Sequence, residues 1–224
     1  MSELTVTISP NFHRVYPGAH VGVLLLENVV ASAENAALEQ AALSIEDKLR
    51  RRFADKTALR AHPVLQAYRD YYKKFDKTYH VQSQLESVVF GGRSIPRPLP
   101  LVQAMFMAEL DNMLLTAGHD LAALSSPLAI GLGREDLSYI LMNGSPQALK
   151  IDDMCMSDQS GVISSVIYGP DQRTRLSAAA SDAVFVVYAP DGISEEAIQK
   201  HFADIASYIR LFAPAVVCAS SGVL

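Results

Sequence analysis

Cysteine is scarce in this chain, and so are the other residues that would make it a metal or disulfide protein. Only Cys155 and Cys218 occur among 224 residues, too few and too far apart for a disulfide framework or a Cys-x-x-Cys knuckle. Both are expected to be small, buried and reduced. The six histidines, at 13, 20, 62, 80, 119 and 201, show no metal-ligand spacing, so neither metal nor other cofactor is expected. A phosphate-binding Gly-x-x-x-x-Gly-Lys-Ser/Thr loop and a Gly-x-Ser-x-Gly elbow are both missing, and Gly131-Leu132-Gly133 lacks the third glycine of a dinucleotide site. With no ATP motif, the chain is not expected to activate an amino acid by itself. No stretch of about 18 apolar residues is present, and the opening MSELTVTISPNF has no basic region followed by an apolar one. A cytoplasmic protein without a membrane partner is expected. Positive charge is not in excess either: 19 Lys and Arg stand against 24 Asp and Glu, a net charge of -5. Binding nucleic acid by charge alone is thereby disfavoured, DNA included.

Apolar residues make up 50% of the chain, and a chain of this length buries about 70% of its unfolded surface. Residues 3–8 alternate and 21–30 form a continuous β-branched run, so both read as strands, expected to pair or share a sheet. Helical spacing starts at Ser32, with Ala37, Leu38, Ala41, Leu43, Ile45 and Leu49 on one face, and ends at Arg50-Arg51-Arg52. Pro63 suits the first turn of another helix. The proline-dense 94–100 precedes a helix over 101–115 with almost no polar face. From 127 to 190 short apolar segments alternate with turn residues, as in antiparallel sheets. Ser194 followed by two glutamates opens an amphipathic helix over 194–212. No linker or repeat divides the chain, and one α+β domain over 1–224 is expected.

Three groups could carry chemistry. Gly118-His119-Asp120 places a histidine beside a carboxylate after the apolar helix, either a general base or a helix cap at Gly118 with a hydrogen-bonded His119. The segment Tyr168–Arg175 offers Asp171, Gln172 and two guanidinium groups as a pocket rim, or else is a solvated hairpin. Lys48, Arg50, Arg51, Arg52, Lys56, Arg60, Arg69, Lys73, Lys74 and Lys77, interleaved with Tyr68, Tyr71, Tyr72 and Tyr79, could meet phosphates and stack on bases, or be a solvated face.

Residues 69–121 resemble the free-standing B3/B4-domain proteins, which are similar to the tRNA-binding and editing B3/B4 module of the phenylalanyl-tRNA synthetase β subunit. The matching pieces are Phe75, Gly92, Ile95-Pro96 and Gly118-His119-Asp120-Leu121. The segment 149–177 resembles that module's strand, Asp-containing turn, second strand and Gly-Gly-Glu-x-Ser loop. The likeness covers about 40–212, with 1–39 supplying N-terminal strands and the start of the first long helix. It implies a three-layer β/β/α domain with mostly antiparallel sheets and flanking helices. It also implies binding of tRNA or aminoacyl-tRNA, and hydrolysis in trans of tRNA carrying the wrong aromatic amino acid. Carried over by position, Asp158 is the turn aspartate, Gly161 the small residue at the pocket floor and Asp171 the pocket acid, here shorter than the family's glutamate. Pro170 replaces a glycine, and the family's editing histidine falls nearer Ala117 than His119. The resulting site is Asp171 and His119 as catalytic groups, Asp158, Gly161, Gly169, Gln172 and Asp120 around the substrate, and Arg50, Arg51, Arg52, Lys73 and Lys74 toward RNA. The alternative is a non-catalytic module for a free amino acid or a similar small polar ligand.

Overall fold

The computed structural model describes residues 4–31 and 35–224. The first half runs β1 (Val6–Ile8), a short helix α1 (Phe12–Val15), β2 (His20–Glu27), α2 (Ala36–Arg52), α3 (Lys56–Arg60), α4 (Pro63–Lys73), α5 (His80–Val89) and α6 (Pro100–Asn112). The second half runs β3 (Thr116–Asp120), β4 (Leu128–Leu132), β5 (Ser138–Ile140), β6 (Pro146–Ala148), β7 (Met154–Asp158), β8 (Gly161–Ser165) and β9 (Gly169–Pro170). It ends with β10 (Asp182–Ala189), α7 (Glu195–Arg210) and β11 (Val217–Val223). Glu3 and Ser32, at the expected starts of the first strand and first helix, lie outside the described residues.

Two sheets carry the fold. One has the order β1-β4-β7-β8-β9, the other β11-β2-β10-β3, and β5-β6 form a separate hairpin. Every pairing is antiparallel except β1 with β4. The chain is therefore an α+β fold with antiparallel-dominated sheets and flanking helices. The first two strands do not share a sheet. β1 sets Val6 opposite Leu128, whereas β2 sets Val21 opposite Tyr188, because the continuous apolar run of β2 has two faces to bury and only a central strand offers both.

Those faces define the layers. On one, an added Cβ at Gly22 would lie 2.4 Å from Ile198 and 2.7 Å from Phe202 of α7. On the other, the Tyr188 hydroxyl meets Ser164 of β8 in the first sheet. The β11-β2-β10-β3 sheet is thus sandwiched between α7 and the β8 sheet. Gly22→Ala is expected to lower stability by about 1–3 kcal/mol, because α7 cannot approach as closely. Gly222→Ala, with nothing within 4 Å, should be near neutral, and equal urea midpoints for the two variants would contradict this packing.

Tyrosine hydroxyls tie the helices to both sheets. Tyr68 of α4 donates to the Tyr188 carbonyl at 2.6 Å and accepts from the Leu115 amide at 3.0 Å. Tyr71 donates to Asp153 and Tyr72 to the Val166 carbonyl. Tyr68 stacks on Tyr79 with ring centroids 4.3 Å apart. Burial raises the pKa of all four phenols above the ordinary tyrosine range. These rings are core, so the expected base-stacking tyrosines are not at the surface. The spacing of Leu65, Tyr68, Tyr71 and Tyr72 is the buried stripe of an amphipathic helix.

Other boundaries also differ. The expected helix over 101–115 stops at Asn112, where Met113 turns into the left-handed region at φ 62° and its carbonyl accepts from Tyr79. Tyr79 is the N-cap of α5, in the break that separates it from α4. On α2 the buried stripe is Leu38, Ala42, Ile45, Glu46 and Leu49, while Leu43 faces out. Cys155 is buried as expected, and Cys218 on the edge strand β11 is exposed. Ser194 does cap α7, accepting from the Ala197 amide. Among the described residues no helix is long and apolar enough to cross a membrane.

Candidate functional site

His119 lies on neither a loop nor a helix cap. It is the fourth residue of β3, fully buried and paired with Val184 of β10. On the other side of β3 the segment 171–175 is stitched along the strand by an Asp120 amide to Thr174 carbonyl bond of 2.8 Å and a bridge between His119 and Arg175. The same segment reaches the β5-β6 hairpin through the Gln172 amide and the Ile140 carbonyl, 2.9 Å apart. The stretch expected as a rim or a solvated hairpin is therefore a wall, fixed on both sides.

Inside the wall, Asp171 accepts from both the backbone amide and the hydroxyl of Thr174. Because that hydroxyl donates to Asp171, it accepts from His119 Nδ1, 2.7 Å away. Asp171 and His119 are thus joined through Thr174. Burial lowers the His119 pKa to about 4, so its ring is neutral, and Nε2 has no partner among the described residues. Threonine, not histidine, occupies the middle of this relay, so its order is not that of a nucleophilic triad. Asp158 is also internal. Its carboxylate accepts from the Ser125 and Ser160 amides at 2.9 and 2.8 Å and from Arg173 at 2.8 Å. Arg173 also binds the Ala123 carbonyl and approaches Asp171 at 3.7 Å, leaving it little freedom to meet a ligand.

Two openings flank the wall. A polar cleft of about 600 Å³ is bordered by Asp120, Gly161, Asp171, Gln172, Arg173 and Arg175, together with the β5 residues Ser138 to Ile140. Asp120, Gly161, Asp171 and Gln172, expected from the sequence, meet here. Gly161 borders this cleft at φ 126°, a backbone conformation that favours glycine. The second opening is an apolar cavity of about 240 Å³ between the two sheets, closed by α6. Val102, Met105, Phe106, Leu115 and Leu176 are among its apolar lining, with Gly169, Tyr188 and Glu109 also on the wall. Arg175 borders both openings. His119 and Asp158 border neither.

The RNA-side candidates lie elsewhere and are mostly paired. Arg50 binds Glu46 and the Val88 and Arg93 carbonyls, and Arg51 pairs with Asp47. Arg52 donates to the Asp111 carbonyl and contacts His62. Lys74 lies over the Tyr16 ring at 4.7 Å, and Lys73 is exposed at the end of α4. None of the five borders either opening. No cluster of three or more metal-ligating side chains occurs among the described residues.

Sequence reasoning missed Glu109 as a site residue, although a carboxylate in a helix with almost no polar face was a visible signal. Arg175 was offered only as one of the two guanidinium groups of the 168–175 segment, and its place at the border of both openings depends on β3 lying beside the wall.

No family model matches this chain, and no curated protein matches it. Among solved structures it is similar to an N-terminal fragment of the phenylalanyl-tRNA synthetase β subunit from Pyrococcus horikoshii, with a TM-score of 0.50 and 10% identity. The match covers 99% of this chain and 50% of that one, so the chain spans about half the length of the fragment. At this identity the likeness shows a shared fold.

Proposed function

We propose that the chain is a B3/B4-like module that takes the aminoacyl end of a tRNA and hydrolyses mischarged aromatic aminoacyl-tRNA in trans. The observation that carries this reading is the adjacency of the two openings, joined at Arg175. An aminoacyl ester has the same two parts: an apolar amino-acid side chain that fits the cavity between the sheets, and an ester and ribose that fit the polar cleft. The fold shared with a synthetase β-subunit fragment supports an aminoacyl ligand over an unrelated small molecule.

Hydrolysis at such a site needs water, orientation and a cation. Water attacks the ester carbonyl, negative charge develops on its oxygen, the acyl–oxygen bond breaks, and the ribose hydroxyl takes up a proton as it leaves. Arg175, exposed at the junction, supplies the cation for the developing charge. Asp171 and Gln172 line the cleft where water is held, and Asp120 and Gly161 border the ribose side. His119 acts from below by fixing Thr174 and hence the wall, and Asp158 does so by holding Arg173. Proximity supplies much of the acceleration in this arrangement.

The test follows deacylation of phenylalanine-specific tRNA carrying tyrosine or phenylalanine. The wild type is expected to release tyrosine selectively, and Arg175→Ala to be slower by about 100-fold, the usual effect of losing one donor to a developing oxyanion. Tyrosine release no faster than in buffer would overturn the hydrolytic reading.

A second reading, a binding module for a free amino acid, is favoured by the pairing of Arg50 and Arg51 with carboxylates and the net charge of -5. If RNA is bound, Lys73 and Lys74 join the exposed part of the arginine set, and affinity falls steeply with salt as counterions are released. Stabilisation by amino acids with no salt-dependent tRNA binding would select the second reading.

A further inference from the structure

Glu109 lies in the final turn of α6, 2% exposed, with its carboxyl on the wall of the apolar cavity. No described residue donates a hydrogen bond to that carboxyl or forms an ion pair with it. Burial alone raises its pKa well above the ordinary carboxylate range. The other polar groups nearby are committed. The Tyr188 hydroxyl is bonded to Ser164, and the Thr116 hydroxyl to His201. Tyr68 and Tyr72 on α4 and Tyr79 before α5 sense the Glu109 charge but bond to backbone carbonyls. His80 and Arg175 are the cationic-capable side chains on the cavity border, and both are exposed.

A buried carboxyl without a partner is costly, and proteins normally pair such a group. Here the missing partner is a cation with hydrogen-bond donors, and the space beside the carboxyl is open. We propose that Glu109 binds the free α-ammonium group of the amino-acid ligand, while the carboxyl or ester end of the same ligand faces Arg175 and its apolar side chain packs on Met105, Phe106 and Leu176. The assignment rests on the reading in which the amino acid enters this cavity. An ammonium placed among Phe106, Tyr188 and Glu109 gains an ion pair in a low-dielectric setting and contact with aromatic faces. Burial favours the protonated carboxyl in the empty cavity, so forming the ion pair is accompanied by proton release to solvent.

The ligand must then carry an unblocked amine. Thermal-shift and calorimetric titrations with L-phenylalanine, phenethylamine, 3-phenylpropionate and N-acetyl-L-phenylalanine test this directly. Wild-type protein is expected to bind the first two and to bind the last two at least 10-fold more weakly. Glu109→Gln, which copies the shape of the neutral carboxyl and should fold normally, is expected to bind L-phenylalanine at least 10-fold more weakly. Titrations in buffers of different ionisation enthalpy should report proton release by the wild type and none by Glu109→Gln, a signature that a merely structural glutamate would not give. Equal binding of phenylalanine and 3-phenylpropionate, with Glu109→Gln unchanged, would overturn the amine assignment and leave the cavity reading standing. No binding of any of the four would overturn both.

Discussion

Replacing Arg173 with alanine should cost about 3 kcal/mol of stability, the low end for breaking a buried ion pair because the guanidinium itself is partly solvated. Its 39% exposed side chain serves the fully buried Asp158 carboxylate and approaches Asp171. Removing it leaves Asp158 with two backbone donors and an uncompensated charge. The Ala123 carbonyl also loses its donor, so the wall between the two openings loses its tie to the turn before β4. Deacylation should fall with stability in Arg173→Ala. Arg175→Ala should instead lose activity at unchanged stability, because among the described residues its guanidinium bonds only the nearby Gln172 carbonyl. Urea unfolding of both variants checks the contrast, and an Arg173→Ala midpoint equal to wild type would remove Arg173 as the keystone of the wall.

Acid should expose the second large effect. Burial lowers His119 to about 4 and His201 to about 3, against an ordinary value near 6.5. His201 lies on the buried face of α7, where the Asn112 amide donates to Nδ1 at 3.2 Å and Nε2 faces Thr116 at 2.8 Å, an arrangement that suits the neutral ring. In the unfolded chain both rings take up protons below pH 6.5, while in the fold they do not. Stability is therefore complete above about 6.5 and is withdrawn as pH falls toward 4 for His119 and 3 for His201. By pH 4.5 the pair withdraws about 5 kcal/mol. Asp153 acts in the opposite sense. Burial raises it to about 6 from 3.8, so the fold holds that proton more tightly than the unfolded chain and gains stability as pH falls from 6 toward 4. Glu109 has the same sign. Relative to wild type, His201→Gln is expected to keep about 2–3 kcal/mol more of its pH 7 stability at pH 4.5. Asp153→Asn should be more stable near pH 7 and fall more steeply in acid. Denaturant midpoints of the three proteins across pH 4–8 decide this, and parallel profiles would refute it.

The elements most legible in the sequence were those whose signals are local. β2 and β10 appear as unbroken apolar runs because both of their faces are buried, and α7 appears because Ser194, two glutamates and an apolar stripe occur together. The partners of β1 and β2 were not legible, because Leu128 and Tyr188 lie more than a hundred residues further along the chain. His119 was misplaced for a related reason. The apolar run 101–115 continues past Asn112, and only the left-handed turn at Met113, held by a tyrosine from another helix, ends α6 and lets β3 begin. At the site, Asp120 was offered by the Gly118-His119-Asp120 group, Asp171 and Gln172 by the polar 168–175 segment, and Gly161 only by the family resemblance. Burial of Asp158 beneath Arg173, and the openness beside Glu109, depend on sheet packing that periodicity does not encode.

The strand order β11-β2-β10-β3 also governs how the chain folds as it is made. β2 is complete by residue 27, but its two neighbours are residues 182–189 and 217–223. Eight residues of near-continuous hydrophobicity therefore leave the ribosome long before anything can cover them. Contacts of such sequence separation form slowly, and an uncovered apolar strand is prone to pair with another chain. β2 keeps both edges open until β10 and β11 have been made. A chain cut short before Val217 would keep β10 against β2 but leave the outer edge of β2 unpaired, turning a central strand into an adhesive border.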